Sequence, residues 1–366
     1  MQALPFLKGE NMANLYTKEG WINFEKLDKL SSTLNIVLGP RNAGKTYGKM
    51  LYNHKHGINY IFMRTTQKQV DTVFINEFSP FEKLNRDIGS RYCCARIPKT
   101  SVTAVYDDYQ ELEDGKRKPI GAPVNYCLSL LQVGSIRGFN LDYIPELIYD
   151  EFVKHPGEII QNYSKSAVMY FDIMATINRA RELTGSKPLK QWLFGNSDNL
   201  GVPLLQELRL IKPILSMMSA GENYLKLPER DISIFLCTDS PAAKRIKEIS
   251  SIAKIIDGTS YAGMMYDNEF VNDDFTNCEP QPIGQYVPTA VIGKLMIMEH
   301  KNKDLYYIRY YEGNINGVKI YSDTVTGREL FKQEYGYLYY WFLNDCIYFS
   351  SYNEKIKFKN IFAIDT

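Results

Sequence analysis

The chain has 366 residues, more than most single cores hold, so about two domains or one large α/β domain with an appendage are expected. A hydrophobic share of 45% with 23% charged residues excludes wholesale disorder, and 43 Lys+Arg against 42 Asp+Glu excludes an overall basic coat for nucleic acid while leaving room for a local basic patch. Six Cys without a C-x-x-C pair and only four His argue against a zinc site or a disulfide framework and for a reducing compartment; no apolar run reaches the roughly 18 residues of a membrane span, and Lys8, Glu10 and Asn11 stand where an export signal would carry its apolar region.

Residues 1–33 read as a polar lead-in with a short helix over 23–31. Residues 34–38, Leu-Asn-Ile-Val-Leu, read as a buried strand running into a Gly-containing turn and a helix over 45–53. A second apolar run covers 58–64, and 67–78 has helical character with Pro80 as its end. Residues 101–106 and 122–131 pair as a hairpin around a polar tip, 107–118. A third buried strand, 147–149, ends in Asp150-Glu151; a helix follows over 164–182. Residues 191–194 form a fourth apolar run ending in Gly195-Asn196-Ser197, then a helix over 204–218 and a fifth strand over 232–237. Residues 239–257 read as helical and 257–288 as a linker rich in Gly, Asn, Asp and Pro. The remainder reads as mostly β, with strands over 291–299, 305–312, 318–321, 337–342, 347–352 and 355–364. An α/β domain therefore precedes a small β-rich one.

Gly39-Pro40-Arg41-Asn42-Ala43-Gly44-Lys45-Thr46 matches G-x-x-x-x-G-K-[ST] between a buried strand and a helix. In such a loop the glycines let backbone N–H groups surround phosphate oxygens, and the following helix points its positive end at the same charge. Lys45 is placed to reach the β- and γ-phosphates and the Thr46 hydroxyl to ligate Mg²⁺. The plain alternative is a chance glycine turn. In Glu146-Leu147-Ile148-Tyr149-Asp150-Glu151, an apolar strand delivers two acids: Asp150 for the Mg²⁺ shell and Glu151 to polarise a water against the γ-phosphate. A solvated acidic turn is the alternative. Asn196, after the next strand, is a candidate γ-phosphate sensor, or simply a helix N-cap. ATP and Mg²⁺ are the expected cofactors.

With these residues in hand, the chain resembles the phi-29-type bacteriophage DNA-packaging ATPases, relatives of large terminase subunits. The likeness is carried by Arg41 inside the loop, by Leu147-Ile148-Tyr149-Asp150-Glu151-Phe152, by Asn178-Arg179-Ala180-Arg181, by residues 193–196, and by Ile256-Asp257-Gly258-Thr259-Ser260-Tyr261 continuing to Met265, Asp267-Asn268 and Phe270. It spans roughly residues 30–275. The resemblance implies a P-loop NTPase domain of the ASCE/RecA-like type over 1–238, an interdomain region over 239–288, and a vestigial RNase H-like nuclease domain over 289–366. It implies a homo-oligomeric ring, a pentamer, at the procapsid portal vertex in the host cytoplasm. The portal protein and double-stranded DNA are the implied partners, with a packaging RNA joining in some relatives. Arginines supplied across the subunit boundary make Arg179 and Arg181 finger candidates; Ile177, where the family often has Arg, leaves open which one serves. Arg137 and Lys68 match basic positions implicated in subunit coupling or DNA contact.

In the last domain Glu299, Asp304, Glu312, Asp323 and Glu329 are scattered near turns, so an active nuclease is not expected. The aromatics Tyr306-Tyr307, Tyr310-Tyr311 and those of 337–342 read either as a nucleic-acid or portal face or as core packing. Three readings stay in contention: a packaging ATPase; another DNA-translocating ring ATPase of helicase type, or a large terminase with a working nuclease; and a nucleotide-gated assembly protein without turnover, against which Glu151 argues.

Overall fold

Consecutive apolar residues, rather than alternating ones, build the principal sheet, as parallel strands covered on both faces require. The computed structural model describes residues 15–74, 79–136, 141–154, 158, 160–178, 181, 183–196, 199–259, 273–313 and 315–364. Its strands are β1 (Leu34–Leu38), β2 (Tyr60–Arg64), β3 (Cys93–Arg96), β4 (Thr103–Tyr106), β5 (Asp108–Glu111), β6 (Arg117–Ile120), β7 (Asn125–Ser129), β8 (Glu146–Asp150), β9 (Lys190–Gly195), β10 (Tyr224–Leu227) and β11 (Ile232–Leu236). Nine of them form one sheet in the order β10-β11-β1-β9-β8-β2-β7-β4-β3. The run from β11 to β7 is parallel throughout, and β10, β4 and β3 are antiparallel to their neighbours. All five residues of β8 are buried.

The helices up to residue 255 are α1 (Phe24–Leu30), α2 (Lys45–His56), α3 (Gln67–Asp71), α4 (Pro80–Ile88), α5 (Ser166–Asn178), α6 (Pro203–Glu207), α7 (Ile211–Ala220), α8 (Pro241–Ile249) and α9 (Ser251–Ile255). Pro80, expected to end a helix, opens one: Ser79 caps α4 and Pro80 takes its first turn, where a missing N–H is harmless. The helix expected over 204–218 is broken into α6 and α7, with Arg209 left-handed at φ 53° between them. The polar tip 107–118 is itself a hairpin of β5 and β6, while β4 and β7 pair as expected. β3 and β10, four residues each, are too short to stand out in sequence.

The chain divides into two units, one drawing on 1–204 and 216–271 and the other on 205–215 and 272–366. Residues 241–255, read from sequence as the start of an interdomain region, form α8 and α9 in the first unit, where Ser240 Oγ and the Ala242 N–H both donate to the Gly20 carbonyl. The second unit adds β12 (Tyr286–Ile292), β13 (Leu295–His300), β14 (Tyr306–Tyr310), β15 (Lys319–Tyr321) and β16 (Ile347–Phe349), with α10 (Val325–Tyr335), α11 (Leu338–Leu343) and α12 (Tyr352–Phe362). Its five-stranded sheet runs β15-β12-β13-β14-β16.

The expected strands over 337–342 and 355–364 are therefore helices. Aromatic and alternating side chains suggested strands, but Ser351 caps α12, whose apolar pairs Tyr352–Ile356 and Phe358–Ile361 lie four and three residues apart, and α11 buries Leu338 against the sheet. One sheet face packs Ile292, Ile297 and Ile308 against Phe331, Leu338 and Phe358 of those helices. Tyr306 and Tyr307 are buried, Trp341 and Phe342 pack partly against the core, and Tyr337, Tyr339 and Tyr340 are exposed, so the aromatic runs divide between core and surface. Among the described residues no helix is long and apolar enough to cross a membrane.

In this second unit, buried Lys355 donates to Asp274 Oδ2 at 2.7 Å and to the Thr276 carbonyl at 2.8 Å, fastening residues 274–276 to α12. Partial burial acts to raise the Asp274 carboxyl, but hydrogen bonds from Lys355 and Thr276 outweigh it and hold the group at about 2. The folded value lies below the ordinary 3.8, so this contribution is complete above about pH 4 and is lost as pH falls from about 4 to about 2. Asp274→Asn should melt below wild type at neutral pH and converge with it near pH 2; melting temperatures across an acid series measure this.

Candidate functional site

Three neighbouring parallel strands end at one place. Leu38 of β1 lies opposite Gly195 of β9, and Phe194 opposite Asp150 of β8. In open parallel sheets, ligands bind in the crevice beyond such carboxyl ends. Beyond β1 the backbone passes through two left-handed residues, Asn42 (φ 61°) and Gly44 (φ 86°), which turn successive N–H groups toward a common centre. A Cβ on Gly39 would stand 2.8 Å from the Cys237 carbonyl oxygen at the end of β11, so the loop's departure from the sheet requires glycine. α2 then starts at Lys45 with its positive end on the same space.

The result is a cavity of about 350 Å³, lined by Arg41, Asn42, Ala43, Gly44, Lys45, Thr46 and Tyr47, by Asp150 and Glu151, and by Phe194 and Asn196. Lys45 is buried and its Nζ donates to the carbonyls of Gly39 and Pro40, each at 2.7 Å, and to Asn196 Oδ1 at 3.0 Å. The Thr46 hydroxyl donates to Asp150 Oδ1 at 2.7 Å. A hydroxyl and a carboxylate converging at the mouth of an N–H cradle are hard oxygen donors that fit Mg²⁺ accompanying a phosphate chain. Phosphate oxygens suit the cradle itself.

Arg64, the last residue of β2, was not singled out in the sequence. Its Nη2 lies 2.6 Å from Asp150 Oδ2, and its Nη1 pairs with Glu151 Oε2. One guanidinium thus bridges both acids. Burial pushes the Asp150 carboxyl above its ordinary range, and the Arg64 charge opposes that push. Glu151 sits at φ 56°, a left-handed conformation that costs a non-glycine residue of order 1 kcal/mol or more and turns its side chain away from the strand. The only sequence signal for Arg64 was a cation ending an otherwise buried run; that β2 neighbours β8 is a fact of sheet order.

The structure brings together residues 41–46, Asp150, Glu151 and Asn196, with Gly39 and Pro40 supplying carbonyls to Lys45. Lys68 lies exposed on α3. Arg181, a finger candidate, has another task here: it is 4% exposed and its guanidinium donates to the carbonyls of Leu141 and Ile144, in the turn that leads into β8. A group so buried in its own subunit is not presented to a neighbour. Arg137, Arg179 and residues 260–272, which include much of the family-like block after Ile256, lie outside the described residues.

No family model matches this sequence, and no curated protein does. Solved structures do. The bacteriophage Phi-29 viral genome packaging motor assembly superposes with a TM-score of 0.61 at 16% identity, covering 94% of this chain and 99% of that one. The Phi-28 gp11 DNA packaging motor gives 0.60 at 14% identity, covering 96% and 99%. The fold is that of the phage packaging motors. The likeness extends over both units, so the second unit, like the first, has its counterpart in those chains.

Gly39→Ala is expected to destabilise the protein by about 1–3 kcal/mol, because the new methyl meets backbone rather than a flexible side chain. Thermal melting of the variant against wild type measures it.

Proposed function

We propose that this chain is an ATP-hydrolysing motor that drives double-stranded DNA through a portal into a procapsid. The observation that carries the reading is the 2.7 Å contact between the Thr46 hydroxyl and Asp150, which unites the phosphate loop with the acid-bearing strand. The likeness to packaging motors over nearly the whole chain supports the DNA-moving part.

ATP lays its phosphates in the N–H cradle, and Lys45 exchanges the Gly39 and Pro40 carbonyls for β- and γ-phosphate oxygens. Thr46 and Asp150 would hold Mg²⁺, which would supply neutralisation of phosphate charge. Lys45 thereby loosens its hold on Asn196, whose amide is then free to turn to the γ-phosphate, so the strand between the two motifs reports the nucleotide state. Glu151 accepts a proton from the attacking water as the bond from the γ-phosphorus to the bridging oxygen breaks, leaving ADP and phosphate. It can do so only once Arg64 releases it, which makes Arg64 a restraint on idle turnover. Arg179 of one subunit meets the charge developing in the pocket of the next, within a ring of five identical subunits seated on the portal protein. Lys68 and Arg137 contact DNA phosphates, which carry no sequence information.

The second unit acts without cutting DNA. Three of its candidate acids are engaged by cations: Glu312 with Lys294 and Arg209, Asp323 with Arg328, and Glu329 with Lys332. The ring works at the procapsid vertex in the host cytoplasm.

ATP turnover on blunt duplex and on single strands tests the reading. Duplex should stimulate; preference for single strands would point to a helicase, and metal-dependent cutting to a nuclease. Lys45→Ala should lose nucleotide binding, whereas Glu151→Gln should keep binding and lose about 10²–10⁴-fold in turnover. Arg64→Gln should raise turnover measured without DNA and shrink the stimulation by DNA; unchanged stimulation would remove the restraint role.

A further inference from the structure

A buried charged cluster lies along α2, and none of the chemistry above uses it. Lys49 is fully buried and Glu146 almost so, with Lys49 Nζ 2.8 Å from Glu146 Oε2. Asn53 Nδ2 donates to the same oxygen at 2.9 Å. The ammonium lies 4.6 Å from the ring centroids of both Tyr52 and Trp192. Burial lowers the pKa of Lys49, and the neighbouring Glu146 carboxylate opposes that shift.

Stability alone gives no reason for this pair. Two ions withdrawn from water lose hydration that their attraction barely restores, and well-packed apolar side chains serve as well. What an ion pair adds is register. Lys45, Lys49 and Asn53 are spaced four apart, so they form one stripe along α2, and all three are buried. At the upper end of the stripe Lys45 reaches Asn196, and its neighbour Thr46 reaches Asp150, the last residue of β8. At the lower end Lys49 and Asn53 grip Glu146, the first residue of the same strand. β8 spans about 13 Å from Glu146 to Asp150, and α2 rises about 10 Å from Thr46 to Asn53, so helix and strand are tied at both ends. Turning α2 by one residue, about 100°, would break the lower tie and lift Thr46 off Asp150.

We propose that Lys49 and Glu146 are positioning residues that fix the separation of Thr46 and Asp150, and through it the affinity of the pocket for the divalent cation that accompanies the nucleotide. This rests on the nucleotide-binding reading above. The cradle N–H groups come from the loop itself, so nucleotide binding without metal does not depend on the pair.

The test is a Mg²⁺ titration of fluorescent ADP binding to the full chain, beside the same measurement in EDTA and a thermal melt. Lys49→Met combined with Glu146→Gln should fold, bind the analogue in EDTA as wild type does, and need at least tenfold more Mg²⁺ for half-saturation. Lys49→Arg, which keeps the tie, should stay within about twofold of wild type. If the double variant does not fold, Glu146→Asp is read instead: it keeps the charge on an arm one methylene shorter and should raise the Mg²⁺ requirement at least threefold. An unchanged Mg²⁺ requirement in the folded variant overturns the proposal. Failure of wild type to bind the analogue at all would instead overturn the nucleotide reading on which it rests.

Discussion

The first unit depends on how a chain leaves a buried strand and still surrounds an anion. β1 must end among β9 and β11, where any side chain on Gly39 would strike the Cys237 carbonyl, and the backbone must then turn through left-handed positions before α2 can begin. That route points donors, rather than side chains, into the crevice. Once the loop is set, the positions of Lys45 and Thr46 follow from the first turn of the helix.

Around that loop the charges hold one another in check. Lys45 is folded onto carbonyls of its own loop, and Arg64 spans Asp150 and Glu151. The cation that phosphate oxygens would engage, and the acids that a metal ion and an attacking water would engage, are thus already partnered, and partners of comparable strength can be exchanged without exposing a bare charge in a buried site. A site so arranged is poised rather than open.

The second unit shows the same residue types put to other ends. Tyr306, Tyr321, Phe331, Phe349 and Phe358 fill the space between a small sheet and three helices, while Tyr337, Tyr339 and Tyr340 stay exposed. Several of its acids and cations pair locally on the surface, where such pairs add little stability.

The sequence by itself determined the loop, the acid pair and the polar residue after the fourth apolar run, because each is a local pattern: glycines at set spacing, a buried strand with a charged end, a cap-type residue at a strand terminus. It did not reveal which strands lie side by side. Arg64 comes from a strand far from Asp150 in the chain, and no local pattern pairs Lys49 with Glu146. Only the order β1-β9-β8-β2 joined them. The runs over 337–342 and 355–364 misled for the related reason that bulky side chains suit a strand or a buried helix equally; the Ser351 cap and the packing of Leu338 and Phe358 against the sheet go with the helices that formed. Local spacing dictates backbone turns and hydrogen-bond donors; contacts between charges distant in sequence are set by burial, and burial is decided by the whole sheet.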